Sequence, residues 1–211
     1  MADKVNVLSH PVVKALLSKL RDSSSSTKEF RENVHNISFI LGLEATRTLE
    51  EEEFQGRSPV GSFTGTRIKP RIGLTPVLRA GIGMTDALLT LFPSAPVYHL
   101  GIFREKVTLQ PVEYYSKLPP APPVDTVLLL DPMVATGNTA CAALAMIAEW
   151  GVPVNNIKLL AILASEEGLN HVKREYPELE ARVDKELSES GIIVPGLGDA
   201  GDRMFNTITK H

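Results

Sequence analysis

A chain of 211 residues, 43% hydrophobic and 22% charged, has the makeup of one globular domain of ordinary size with a proper core. Its net charge of −3 offers no basic footprint for nucleic acid, and its one cysteine excludes an internal disulfide or a cysteine-based zinc site. The opening "MADKVNVLSH" lacks a signal-peptide core and no apolar run approaches the ~20 residues that span a bilayer, so a cytoplasmic protein with no membrane partner is expected.

In chain order, "PVVKALLSKL" (11–20) has helical periodicity with Pro11 at a tolerated first-turn position. The serines at 23–26 break it. Ser26 and Glu29 then match a capping box, which opens a long helix expected to run to about Leu49. "EEEEF" (50–54) reads as a solvated face or turn, and the Gly, Ser and Thr of 55–70 as loop or short hairpin. From residue 71 the rhythm changes. Strands are predicted at 71–78, 96–103, 124–130 and 157–164, separated by helices at 81–92, 138–150 and 166–176. Strands apolar on both faces and separated by helices indicate a mostly parallel sheet covered on both sides. Two intervals interrupt the alternation. Residues 104–123 form a long polar connection of the kind that is either a functional lid or disordered, ending in a stiff proline-rich stretch from Pro119 to Pro123. The tail "GIIVPGLGDAGDRMF" (191–205) is glycine-rich.

"LLLDPMVATGNTACAAL" (128–144) runs from an apolar strand through Asp131 to Thr136, Gly137, Asn138 and Thr139, and then into an alanine-rich helix. A helix start leaves backbone N–H groups without intrahelical partners, and the helix dipole adds partial positive charge, so a phosphate is favoured there. Two threonine hydroxyls add donors, and Gly137 lets a ligand approach the backbone. Cys141 falls in the first turn of that helix, where a thiol can become acidic, but a small residue on an alanine-rich face is the simpler expectation. The five histidines include no i, i+4 pair, so no histidine metal site is expected.

No P-loop pattern occurs. Gly196, Gly198 and Gly201 satisfy G-x-G-x-x-G, but too few residues follow for the βαβ unit that a dinucleotide site needs. Arg79, in "LRAG" just past a predicted strand end, lies where ligands gather in open α/β sheets, and its donor fork suits a diphosphate.

The segment "LLLDPMVATGNTA" resembles the ribose-phosphate loop of type I phosphoribosyltransferases. Most of that superfamily has two adjacent acids here, whereas Asp131-Pro132 is the form typical of uracil phosphoribosyltransferases. Three further stretches agree in order and spacing: "PVLRAGIGM" (76–84), "FREKVTLQPVEYYSKLP" (103–119) and "IIVPGLGDAGDR" (192–203). Asn138 replaces a usual glycine, and its tolerance of left-handed backbone is expected to preserve the loop. Glu113 replaces a common proline.

The resemblance implies an α/β type I phosphoribosyltransferase fold: a mostly parallel central sheet flanked by helices, with a small hood formed partly by the C-terminal segment. The chain would be a single domain (1–211) with its core at about 70–180, N-terminal helices at about 11–49 and the hood at about 190–211. The implied reaction moves the 5-phosphoribosyl group of phosphoribosyl pyrophosphate (PRPP) to uracil, giving UMP and pyrophosphate in pyrimidine salvage. The catalytic residues would be Asp131, Arg104 and Asp199. Asp131 would hold the ribose hydroxyls, with Pro132, Met133, Val134, Ala135, Thr136, Gly137, Asn138 and Thr139 completing the ribose and 5-phosphate site. Arg79, Arg104 and Lys106 would hold the diphosphate, Arg104 and Lys106 from a closing loop. Val194, Gly198, Asp199, Ala200 and Gly201 would recognise uracil, with Asp199 a candidate to orient or accept a proton. Mg2+ would travel with PRPP, with no dedicated protein metal site. A homo-oligomer, dimer or tetramer, is implied, and a purine-nucleotide effector is left open. The alternative reading is a regulator of the same fold that binds nucleotide or RNA without turnover. Orotate or purine as acceptor is disfavoured by the Asp-Pro loop.

Overall fold

The computed structural model of the protein describes residues 5–105, 111–184 and 196–207. The chain begins with β1 (Val5–Leu8), α1 (Pro11–Arg21) and α2 (Thr27–Ala45). His10 caps α1 by accepting from Val12 N–H, and Pro11 fills its first turn. Ser26 and Glu29 form the expected capping box on α2. That helix stops at Ala45 rather than near Leu49 because Thr46 leaves the helical region and its hydroxyl bonds back to Gly42 O at 2.7 Å.

β2 (Glu51–Ser58) and β3 (Gly61–Ile68) then make an antiparallel hairpin with all eight pairs in register. The acids expected in a solvated turn are thus largely strand residues. They do remain near water, and Glu52 and Glu50 meet Arg67 (2.6 Å) and Lys69 (2.8 Å) across the hairpin. Cross-strand partners fifteen or more residues away leave no local pattern, so residues 51–54 carry no strand signal of their own.

β4 (Ile72–Leu78), α3 (Ile82–Leu91) and β5 (Leu100–Arg104) follow. β5 starts later than expected: Val97 makes only an isolated bridge to Leu74. The connection expected at 104–123 contains a strand, β6 (Pro111–Ser116), antiparallel to β5. Its proline-rich end is anchored by Trp150, whose indole N–H donates to Pro119 O at 2.7 Å. Next come β7 (Thr126–Leu130), the two-residue β8 (Met133–Val134), α4 (Asn138–Trp150), β9 (Ile157–Ala164) and α5 (Glu166–Glu175). The expectation held no strand beyond α5, yet β10 (Glu180–Asp184) pairs with β9, and β1 pairs with β10. A short helix, α6 (Ala200–Phe205), lies in the tail.

The sheet order is β1-β10-β9-β7-β4-β5-β6, with β8 beside β9, and only the β5–β6 pair is antiparallel. Alternate residues of one strand serve opposite cores. Leu128 and Leu130 pack with α1, α2 and α3 around Phe30 and Leu88, whereas Val127 and Leu129 pack with α4 and α5 around Leu144 and Ile147. Each such large side chain buried contributes roughly 1.5–3 kcal/mol. No helix among the described residues is long and apolar enough to cross a membrane.

Candidate active site

A parallel sheet brings the C-terminal ends of its strands to one edge, and the motif residues collect there. Arg79 follows β4, Arg104 ends β5 and Asp131 follows β7, with β7 paired to β4 through Leu130 and Pro76. A cleft of 690 Å³ beside Ile68, Ile72, Phe92 and Val124 lies at the other ends of the strands and includes none of these residues.

Asp131 is only 8% exposed. Burial pushes its carboxyl up to about 7, with a hydrogen bond from Met133 N–H (3.4 Å) pulling the other way. From Asp131 the loop runs along β9, where Asp131 N–H donates to Leu160 O and Ser165 N–H donates to Val134 O. Pro132 and Val134 are buried, while Met133, Ala135, Thr136, Asn138 and Thr139 are half-buried. The loop then enters α4 through Gly137, whose φ of 83° is left-handed. A Cβ at Gly137 would also stand 2.8 Å from Gly168 O, so both backbone and space require glycine. Asn138 is already helical. It does not adopt the left-handed conformation expected of it, because Gly137 absorbs that turn.

Arg79 does carry a presented donor fork, but the tail occupies it. Nη2 donates to Asp202 Oδ1 at 2.7 Å and Nη1 to Thr207 Oγ1 at 3.0 Å. The hydrogen bond it donates to Asp202 raises the guanidinium above its ordinary value, while Thr207 and then Arg79 hold Asp202 below the usual carboxylate range. Asp202 and Thr207 were not among the expected site residues, since no local pattern links them to a strand end more than a hundred residues earlier.

In the tail, Gly198 (φ 74°) and Asp199 are exposed, and Asp199 caps α6 by accepting Asp202 N–H at 2.8 Å. Ala200 and Gly201 are buried in the first turn of α6, with Ala200 part of the core around Phe30. Added bulk at Ala200 therefore strains the core, which the sequence did not suggest. Arg203 pins the segment: it donates to the carbonyls of Leu20, Leu197 and Asp22 and lies 4.5 Å from the centroid of the Phe30 ring.

Along β6, the Tyr114 ring packs against Gly101 of β5, and Glu113 accepts from the Ser116 hydroxyl at 2.5 Å. Lys106 and Val194 lie outside the described residues. Cys141 is not an acidic thiol: burial pushes it up to about 11, reinforced by Glu175. Among the described residues, no group of three or more His, Cys, Asp or Glu could hold a metal ion.

Comparison with known proteins covers this whole arrangement. A sequence model described as uracil phosphoribosyltransferase matches residues 7–207. A uracil phosphoribosyltransferase of Roseiflexus sp. (strain RS-1) is 45% identical over 207 residues, covering 97% of this chain and 99% of the relative. One from Thermoanaerobacter sp. (strain X514) is 44% identical over 211 residues, covering 98% and 100%. Among solved structures, a protein from Aquifex aeolicus (AQ2163) superimposes with a TM-score of 0.85 at 33% identity, covering 95% of this chain and 97% of that one. An adenine phosphoribosyltransferase from Trypanosoma brucei shares the fold alone, with a TM-score of 0.56 at 12% identity over 94% and 90% of the two chains. With a family match over nearly every residue and relatives this similar along their full length, the chain belongs to the uracil phosphoribosyltransferase family.

Proposed function

We propose that the strand-end cluster is the catalytic centre of this enzyme, which transfers the 5-phosphoribosyl group of PRPP to uracil and releases pyrophosphate. The observation that carries the site reading is the loop from buried Asp131 to left-handed Gly137, which delivers a carboxylate and a helix start to one edge of the sheet. In the reaction, uracil N1 bonds to the anomeric carbon and loses its proton. The C–O bond to the diphosphate breaks, and its electron pair leaves with the diphosphate.

Each half of the cluster has a task in that exchange. Ala135 to Thr139 would hold the 5-phosphate through backbone N–H groups and the hydroxyls of Thr136 and Thr139. Ionised Asp131 would accept from the ribose hydroxyls and stabilise positive charge growing on the ring, with more effect in its dry surroundings than in water. Arg79, still braced by Asp202, would offer its remaining guanidinium N–H donors to a diphosphate oxygen, and Arg104 and Lys106 would close over the same group. Gly198, Asp199, Ala200 and Gly201, with Val194, would present backbone polar groups to uracil, and the cap made by Asp199 would set their direction. No observation favours a regulator without turnover.

Magnesium fits as a passenger of the diphosphate, bound mainly by substrate oxygens, with Asp131 the carboxylate the loop offers beside it. When bound, it would neutralise charge developing on the leaving group. A homo-oligomer in the cytoplasm, open to a purine-nucleotide effector, completes the reading. The test is pyrophosphate release from PRPP with uracil, orotate, hypoxanthine or no acceptor, with and without magnesium. Rapid release with uracil alone is expected. Equal rates with orotate, or none with uracil, would overturn the reading.

A further inference from the structure

The carbonyls of three successive loop residues, Val134, Ala135 and Thr136, are all bonded by the junction of β9 and α5. Ser165 N–H donates to Val134 O at 2.9 Å, the Ser165 hydroxyl donates to Ala135 O, and His171 Nδ1 lies 2.9 Å from Thr136 O. A carbonyl oxygen only accepts, so Nδ1 carries the proton in that last bond. Gly168 permits the close approach of the helix, since a Cβ there would collide with Ala135 O.

Geometry of the peptide unit extends the consequence. These loop peptides are trans, and in a planar trans peptide the C=O of one residue and the N–H of the next point in opposite directions. Drawing three carbonyls toward α5 therefore turns the N–H groups of Ala135, Thr136 and Gly137 away from it. Successive N–H groups facing one way form an anion-binding concavity. Ser165 has a second duty, because its hydroxyl also accepts Gly168 N–H at 2.9 Å and caps α5. His171 is the cleaner probe, reaching the loop from 35 residues away.

We propose that His171 is a positioning residue for the transfer reaction: by holding the Thr136 carbonyl it orients the Gly137 N–H toward the 5-phosphate. This rests on the reading of residues 135–139 as the phosphate site. Without the bond, the Thr136–Gly137 peptide loses the contact that fixes its carbonyl, and its N–H is no longer aimed at the phosphate. The effect belongs to the phosphate end of PRPP and leaves the diphosphate end alone.

The test compares His171→Ala, His171→Asn and His171→Gln with Thr139→Val. An asparagine amide nitrogen stands the same number of bonds from the backbone as Nδ1, whereas that of glutamine stands one bond further. Calorimetry reads Kd for ribose 5-phosphate and, separately, for inorganic pyrophosphate. His171→Ala and His171→Gln should weaken ribose 5-phosphate by about tenfold or more, the worth of one hydrogen bond to a charged group. His171→Asn should restore most of it, and pyrophosphate binding should be unchanged in all three. If Thr139→Val weakens ribose 5-phosphate while His171→Ala does not, the phosphate site stands and the role of His171 falls. If asparagine fares no better than glutamine, the donated proton is not what matters and the proposal is overturned. Should Thr139→Val also bind ribose 5-phosphate normally, both the phosphate-site reading and the proposal fall together.

Discussion

Arg79 and Asp202 meet across 123 residues of chain, Nη2 to Oδ1 at 2.7 Å, so the arginine after β4 and the C-terminal tail are held by one ion pair. Thr207 braces both, accepting from Arg79 and donating to Asp202 at 2.6 Å. The arginine proposed for the diphosphate and the tail proposed for the base thus belong to one hydrogen-bonded unit.

Asp202→Asn should loosen that unit without unfolding the chain, since Arg79 is exposed and Asp202 half-buried, and solvent-accessible pairs add little to stability. The expected outcome is a several-fold rise in KM for uracil, with a melting temperature close to that of the parent. Steady-state kinetics and a thermal melt check it. Unchanged KM values for both substrates would show that the pair is ornamental.

Arg203→Ala should destabilise the fold itself. It removes a charged donor from three backbone carbonyls and uncovers the Phe30 ring. One hydrogen bond to a charged group is worth roughly 1.5–3 kcal/mol, so a loss of about 2 kcal/mol or more is expected. For a chain of this size that lowers Tm by roughly 4–8 °C. Arg203→Lys should recover little, because an ammonium cannot serve three carbonyls from a planar fork. A lysine variant as stable as the parent would refute the geometric account.

Gly137→Ala should cripple the loop. It forces a Cβ into left-handed backbone, at roughly 1–2 kcal/mol, and against Gly168 O at 2.8 Å. PRPP affinity should drop about tenfold or more, measured by calorimetry. Parent-like affinity would mean the loop readily adopts another productive conformation.

The raised carboxyl of Asp131 gives a stability curve of definite sign. Its folded value of about 7 lies above the ordinary 3.8, so between them the folded state binds the proton more tightly than the unfolded one. The stabilisation is therefore complete below about pH 4 and is lost as pH rises through 7, reaching about 4 kcal/mol in full. Asp131→Asn abolishes this slope. Urea unfolding of the unliganded proteins from pH 5 to 8 should show the parent losing stability relative to the variant. Parallel curves would mean that Asp131 is ionised throughout. On the proposed role, ionised Asp131 accepts the ribose hydroxyls, so PRPP binding near pH 6 should release a proton, visible as buffer-dependent binding enthalpy.

Much of this protein was legible in its residues. The capping box at Ser26 and Glu29 and the apolar strand 126–130 signal themselves through contacts a few residues apart or through a period. The Asp131 to Thr139 loop announced its chemistry because hydroxyls, glycine and acid lie together in sequence before a helix start. What the sequence left undetermined depends on partners distant in the chain. β10 joins the sheet only by lying beside β9, and the acids of β2 become strand residues only opposite β3. Asn138, where glycine is usual, was expected to preserve the loop by tolerating left-handed backbone, but the left-handed residue is Gly137, with Gly168 O too close for a Cβ. The same holds for His171 behind the loop and Asp202 on Arg79: each is an ordinary helical residue until folding brings a carbonyl or a guanidinium within 3 Å. Local order follows from backbone propensity and periodicity, which short stretches contain in full. The orientation of donors in a site follows from hydrogen bonds between distant segments, and only the tertiary structure brings those segments together.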